Sequence, residues 1–393
     1  MKRKLIVNAG TALLLDEQSD ALTAYGSITI NGGRVVISRK VHEKMSAINA
    51  SINSGGMSII DIAGEVTELE SGTAITAKSA FCGCYIICDG KLIIEDLEGL
   101  AGITGLYADR IFHPESVSLG AVKGITASRR IAYPDGAKLH LSGLTLGGET
   151  PAAQGGRLNW VNGNITALDG GELEKLREKE ASFQCRKLII RTSLFEKYAD
   201  MFKAESITFV PDDHAYMKDL TLDAATQVLY GDKLFVNGDL MIDHDQAQHL
   251  GGLNSLIVEG TVTMPISAAA GFKACGKAKG YDLYEGVLKA INGADSIDHE
   301  QLKSAIDRGI RYTLRINGKL TFTSDVTAQD VEAIAAIECN GLLVAPSSAR
   351  GALDSKIKSM NGKIKNLSED EKDSTIDEDD SDVTKINTGT YRL

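Results

Sequence analysis

Three cysteines fall within seven residues, Cys82, Cys84 and Cys88 in CGCYIIC. Thiolates hold zinc and iron–sulfur clusters, but those centres take four ligands, usually as paired C-x-x-C units. Here the spacings are one and three residues and no second pair exists, so the three are read as small core residues. A second group, Asp243, His244, Asp245 and His249, offers carboxylates and imidazoles. Its two histidines are five apart and do not share one helix face. The glycine-rich segments contain no G-x-x-x-x-G-K-[ST], no G-x-G-x-x-G after a strand and no G-x-S-x-G elbow. LTLGGETPAAQGGRLNW, from Leu144 to Trp160, is read as a spacer. Carboxylates from distant strands can cleave sugars, but such sites also present aromatic platforms, and the chain has a single Trp. No catalytic, cofactor-binding or metal-ligating residue is assigned, and the reading leans away from an enzyme.

The elements that would position any site are repetitive. LFVNGDLMIDHDQAQHLGGLNSLIVEGTVTMP (from Leu234) and LRINGKLTFTSDVTAQDVEAIAAIECNGLLVAP (from Leu314) share the opening L-x-[VI]-N-G-[DK]-L-x-[IF]. Each continues with a polar turn, a helix-like stretch, a strand, a second Gly, a further strand and Pro. A third copy runs from Tyr85 to Pro114, with partial copies at IVNAG, ITINGG and WVNGN. The segment from Cys185 to Pro211 keeps the strand–helix–strand–Pro order without Asn-Gly. Asn-Gly tolerates positive φ, so each copy is read as two short extended pieces meeting at a sharp corner, with Gly238 and Gly318 at positive φ. Asp243 with Gln246, and Thr327 with Asp330, are spaced as capping boxes; Val331, Ile334 and Ala335 would give the second helix its apolar stripe. Pro114, Pro211, Pro265 and Pro346 follow strands, where a residue without an N–H can leave a ladder.

One copy has too little apolar surface to stand alone, but stacked copies can share a core. Glycine is high (40 of 393) and aromatics low (5%), which suits narrow layers filled by Leu, Ile and Val. LNSLIVEGTV carries the L-x-x-L-x-[LV] spacing of leucine-rich repeats, and AFCGCYIICDGKLII and SFQCRKLII resemble the F-x-x-C-x-x-L segments of bacterial ones. The similarity is architectural. It covers about ten residues each time, and LNSLIVEGTVT lacks the Asn of a leucine-rich-repeat ladder.

The expected fold is therefore an α/β repeat solenoid, leucine-rich-repeat-like or parallel β-helix-like, with several small α+β domains as the alternative. Residues 1–275 are read as repeats and 312–365 as further repeats, forming one continuous array. Between them, 276–311 is read as an inserted helical hairpin: Leu283, Val287, Leu288 and Ile291 at helical spacing, then a second helix capped by Asp298 and stopped by Gly309. Residues 366–393 are read as an acidic, disordered tail. Nine acidic residues and one Lys lie between Glu369 and Asp382, and so dense a charge cannot bury enough surface to order itself. The following TKINTGTYRL either shares that disorder or packs back as a strand through Ile386 and Tyr391.

The net charge of −11 argues against nucleic acid or an anionic membrane as partner. No apolar run reaches transmembrane length. The basic, apolar start MKRKLIVNAGTALLL is interrupted by Asn8 and Gly10 and lacks a cleavage site, so a cytoplasmic protein is expected over an exported one. Six scattered Cys fit reduced thiols. The functional expectation is a non-catalytic repeat protein, an interaction or assembly scaffold with protein partners. The alternatives are a polymer-forming structural protein and a carbohydrate-active β-solenoid hydrolase.

Overall fold

The computed structural model describes residues 3–16, 18, 24–147, 156–367 and 383–393. Of the stretch read as a spacer, Leu144–Leu146 is a strand and Leu158 begins another; residues 148–155 between them, and the acidic run from 368 to 382, lie outside the described residues. Parallel strands dominate, joined by short helices and 3-10 turns. The chain divides into two compact units, Met1–Thr208 with Asp377–Leu393, and Phe209–Ile376.

The strands form five sheets, numbered along the chain: sheet 1, sheet 2 (from Glu65 to Tyr133) and sheet 3 (from Lys138 to Val210) in the first unit, sheet 4 (from Ala215 to Tyr284) and sheet 5 (from Val287 to Asn366) in the second. Each is four layers deep, with one or two layers broken into two short strands. Sheet 1 shows the pattern. Its successive layers are Val383–Arg392 (the closing strand), β1 (Lys4–Leu14), β2 (Ser27–Ser38), and then the pair β3 (Ala50–Ser54) and β4 (Met57–Ile60), both on β2. All these pairings are parallel: Leu5 lies opposite Ile28 and Thr384, and Ile28 opposite Ala50. In sheet 5, Ile291, Ile316 and Cys339 are likewise aligned. Parallel strands need a crossover between layers, and the short helices and 3-10 turns supply it.

A parallel sheet must be covered on both faces. Inside, each sheet has its own core of alternating residues: Leu5, Val7, Ile30 and Ile37 in sheet 1 meet Val41 and Met45 from the helix Arg39–Ser46. Five such cores exist, one per sheet. Outside, sheet packs on sheet. Leu13, Val36 and Ile60 of sheet 1 meet Tyr85, Ile87 and Tyr107 of sheet 2. Trp160 of sheet 3 packs against Phe112 and Tyr133 of sheet 2 at centroid distances of 6.3 and 6.1 Å. In the first unit these contacts cover the apolar outer faces where sheet meets sheet.

The Asn-Gly reading holds in part: the chain breaks into two short strands at Asn237-Gly238, but Ser27–Ser38, Leu158–Ala167 and Tyr312–Phe322 each run unbroken through theirs. Gly318 has φ +145° and Gly163 +155°. Gly238 does not have positive φ; it is required because a Cβ there would lie 2.7 Å from the Lys218 carbonyl oxygen. The four prolines end or immediately follow strands.

Three expectations are corrected. The segment 276–311 is not a helical hairpin: Gly276–Tyr284 and Val287–Ile297 are strands, the last layer of sheet 4 and the first of sheet 5. Only its second half is helical, His299–Asp307, with the Asp298 carboxylate accepting from the Gln301 N–H as expected. The stripe Val331–Ala335 is a single 3-10 turn, Asp330–Ala333, after which Ile334 starts a strand. There the Asp330 carboxylate accepts from both the N–H and the hydroxyl of Thr327, the reciprocal half of a capping box. Finally, 383–392 is not part of a disordered tail but a strand in sheet 1. The start of the chain, Lys4–Leu14, is an inner strand of the same sheet. No helix among the described residues is long and apolar enough to cross a membrane.

Candidate functional site

Cys88 is buried in the core of sheet 2, where burial pushes its thiol up to about 11. The core reading therefore holds for Cys88 and not for Cys82, which is exposed on the turn before the strand Cys84–Ile94, while Cys84 at the first position of that strand is partly exposed. Asp243, His244 and Asp245 are exposed on the turn after Leu240–Ile242, and His249 lies in the 3-10 turn Ala247–Gly252. The Asp243–Gln246 spacing closes a turn through the Asp243 carbonyl, not a side-chain cap. Among the described residues, no group of three or more His, Cys, Asp or Glu is placed to hold a metal.

A constellation that spacing did not reveal joins Asp213, His214 and Ser255 in the second unit. His214 is only 8% exposed. Its Nδ1 lies 2.7 Å from Asp213 Oδ1 and its Nε2 2.8 Å from Ser255 Oγ. Lys233 Nζ binds the other Asp213 oxygen at 2.6 Å. The Lys233 and His214 bonds hold the Asp213 carboxyl down at about 2. The order Ser–His–Asp is that of an acyl-transfer triad, but such chemistry also needs backbone N–H groups aimed at a developing oxyanion. The nearest ones are occupied: the Asn254 and Ser255 N–H groups both donate to the Asp232 carbonyl, at 2.8 and 3.1 Å. The relay therefore fastens the starts of three successive layers of sheet 4. Ser255→Ala is expected to lower stability by about 1–2 kcal/mol, the range for a hydrogen bond lost from a buried partner. A fluorophosphonate probe should leave Ser255 of the wild type unmodified; stoichiometric labelling at Ser255 would show a nucleophile instead.

Two arginines bind sheet to sheet. Arg34 on β2 pairs with Asp89 and Asp109 of sheet 2. In the second unit, Arg315 of sheet 5 forks onto Asp282 of sheet 4 with two 2.6 Å bonds, while its Nε donates to Glu338 at 2.7 Å. The Arg315 hydrogen bonds hold the Asp282 carboxyl below its usual range. A carboxyl depressed in the folded state adds stability above its unfolded value and loses it as pH falls through the folded one. Arg315→Met should therefore cost about 1–3 kcal/mol near neutrality, and the gap to wild type should close below roughly pH 4. A gap that persists unchanged in acid would rule out the ion pair as its source.

The polar residues that the repeat places most regularly are asparagines. In sheet 1, Asn53 Nδ2 donates to Asn31 Oδ1, Asn31 Nδ2 to Asn8 Oδ1, and Asn8 Nδ2 to Asn387 Oδ1, all at 2.8 Å. Beside this ladder runs a glycine column: a Cβ on Gly10, Gly33 or Gly55 would lie 2.9–3.0 Å from the carbonyl oxygen of the glycine in the preceding layer. In sheet 5 Asn317 Nδ2 donates to Asn292 Oδ1 and Asn361 Nδ2 to Asn340 Oδ1, with Asn317 and Asn340 aligned between them. Sheet 4 replaces the asparagines with carboxylates, Asp219 accepting from the Asp239 N–H and Asp239 from the Thr261 N–H.

Both edges of sheet 1 carry no further strand among the described residues. At the β3/β4 edge, Met57 is 47% exposed, and a hollow of about 310 Å³ opens among His42, Met45, Ala50, Ile52, Ser54 and Met57. Elsewhere in the first unit an open cleft of about 830 Å³ has a mixed lining, Leu13, Leu15, Ile62 and Val66 beside Asp16, Gln18 and Lys40. Its Arg392 and Glu68 are paired with each other at 2.9 Å. No protein-family model, curated protein or solved structure matches this chain.

Proposed function

We propose that the protein is a non-catalytic assembly scaffold and that each four-layer stack is a short parallel β-solenoid, β-helix-like, with an Asn-Gly or Asp-Gly corner. The observation that carries this reading is the state of sheet 1. Its regularly placed polar side chains are engaged with one another along the stack, and among the described residues the stack ends at two edges on which no further strand lies. Natural proteins ordinarily blunt such edges with charge, proline or a covering segment. β3 and β4 contain no charged residue and no proline, so the edge is suited to receive another strand.

The test is a photo-crosslinking amino acid placed at Ser51 on β3, at Thr388 on the closing strand, or at the exposed control position Glu300, in the full chain made in its own cells. Protein adducts at the two edge positions and none at the control are expected. Adducts equally frequent at all three, or at the control alone, would overturn the scaffold reading of these edges.

A further inference from the structure

The asparagine ladder of sheet 1 has a direction. Each layer donates from Nδ2 to the Oδ1 of the layer before it, in the order Asn53, Asn31, Asn8, Asn387. It therefore ends unlike at its two edges. At the β3 edge, Asn53 Oδ1 has no donor among the described residues, and at the closing strand Asn387 Nδ2 has no acceptor. We infer that a second copy of this chain continues the stack head to tail, its closing strand pairing in parallel with β3 and β4. This rests on the scaffold reading above and names the partner.

The columns of the sheet give the register of that contact. Val7 lies opposite both Ile386 and Ile30, and Ile30 opposite Ile52. The next layer in that column is thus Ile386 of the second copy on Ile52. In the same way Ala12 aligns with Tyr391 and Val35, and Val35 with Met57, so Tyr391 of the second copy covers the exposed Met57 thioether. An incoming Asn387 would donate to Asn53 Oδ1, in the same sense as the three bonds before it. The glycine column continues too, an incoming Gly389 standing over Gly55 where any side chain would strike the carbonyl. Hydrogen bonds, apolar columns and glycines all continue in this one register. The hollow beside Met45 and Ile52 is closed by the added layer. Each copy would advance the assembly by about 19 Å, four layers of roughly 4.8 Å.

One column lends itself to a charge test. Ile6 lies opposite Lys385 and Thr29, and Thr29 opposite Ser51; an added copy therefore sets its Lys385 on Ser51. Within one chain these two positions lie three layers apart, about 14 Å, beyond the ~7 Å that a disulfide can bridge. A Ser51→Cys chain mixed with a Lys385→Cys chain under mild oxidation is expected to give a disulfide-linked dimer that neither chain gives alone, with wild type as the control for the native thiols. In sedimentation velocity on the full chain, Ser51→Lys should weaken self-association about tenfold or more by placing like charges opposite each other, and adding Lys385→Glu should restore it. Asn387→Asp keeps the acceptor for Asn8 while removing the outward donor, and it should weaken association without lowering the melting temperature. A wild type that stays monomeric at every attainable concentration overturns the inference. So does self-association that produces no mixed disulfide and ignores Ser51→Lys. Either result leaves the scaffold reading to the crosslinking test, where adducts from Ser51 to a different polypeptide would uphold that reading and refute self-stacking.

Discussion

Gly341→Val is expected to destabilise the second unit by about 3 kcal/mol or more, the upper range for forcing bulk into a packed site. Gly341 has φ +154°. A Cβ there would collide with the Gly318 carbonyl oxygen, with the carbon and nitrogen of Gly318 only 2.9 Å away. These are backbone atoms of the neighbouring layer, held by the ladder, and they cannot rotate aside. The same collision recurs from Gly318 onto Gly293 and from Gly362 onto Gly341, so a shift at one layer is passed to the next. Two controls separate sterics from backbone preference. Gly293 has φ +105° with nothing within 4 Å of its Cβ position, and Gly293→Ala should cost only the ~1–2 kcal/mol of an unfavourable backbone region. Gly351, in the helix Ser347–Asp354, also has open space, and Gly351→Ala should stabilise by about 0.5–1 kcal/mol. Denaturant melts of the three variants decide it: a Gly341→Val no worse than Gly293→Ala would remove the close-approach explanation.

The corner was the most legible part of this fold because few dipeptides tolerate it. Asn317-Gly318 and Asn162-Gly163 mark positive-φ glycines midway along the strands Tyr312–Phe322 and Leu158–Ala167, and the prolines mark strand ends for an equally local reason. Misreadings arose where a helical period and a strand alternation could be drawn through the same residues. Leu283, Val287, Leu288 and Ile291 satisfy the first, yet Gly276–Tyr284 alternates partly buried with exposed positions for most of its length. AINGAD around Asn292 repeats RINGKL around Asn317, and that corner was the stronger signal. A looser form of it, Asn-x-Gly, identifies the other layers of sheet 1: NAG at Asn8, NSG at Asn53 and NTG at Asn387. The last is the clue that the chain returns to its first sheet. Neither the grouping into five stacks nor the Asp213–His214–Ser255 relay was legible. Stack boundaries depend on which outer faces meet, a property of pairs of sheets. Ser255 is brought to His214 across 41 residues by layer order.

Removing Val383–Leu393 is expected to destabilise the first unit by about 2–4 kcal/mol, while neutralising the acidic run that precedes it should have little effect. The closing strand aligns with β1 from Lys4↔Val383 to Leu13↔Arg392. Ile386, Tyr391 and Leu393 pack against the core of sheet 1, and a fully buried side chain of this size contributes roughly 1.5–3 kcal/mol; about half that each is reasonable for partly covered ones. Leu393 adds a clasp, its N–H donating to the Leu13 carbonyl at 2.8 Å and its carbonyl accepting from the Asp16 N–H at 2.9 Å. Truncation exposes Leu5, Val7 and Ala12, now all but inaccessible to water. The backbone groups of β1 can return to water, so the loss is mainly apolar. Replacing the nine carboxylates between Glu369 and Asp382 by their amides changes charge without touching these contacts, and should move the melting temperature by no more than a few degrees. Trp160 provides the readout, since it sits between the second and third sheets of the same unit and its fluorescence should follow that unit's unfolding. If the truncated chain melts like wild type, the closing strand is not a structural layer of sheet 1. If it loses stability and the amide variant loses as much, the acidic run acts on folding directly. Loss on truncation alone makes the returning strand the outermost layer of the first stack, and the acidic run the tether that delivers it.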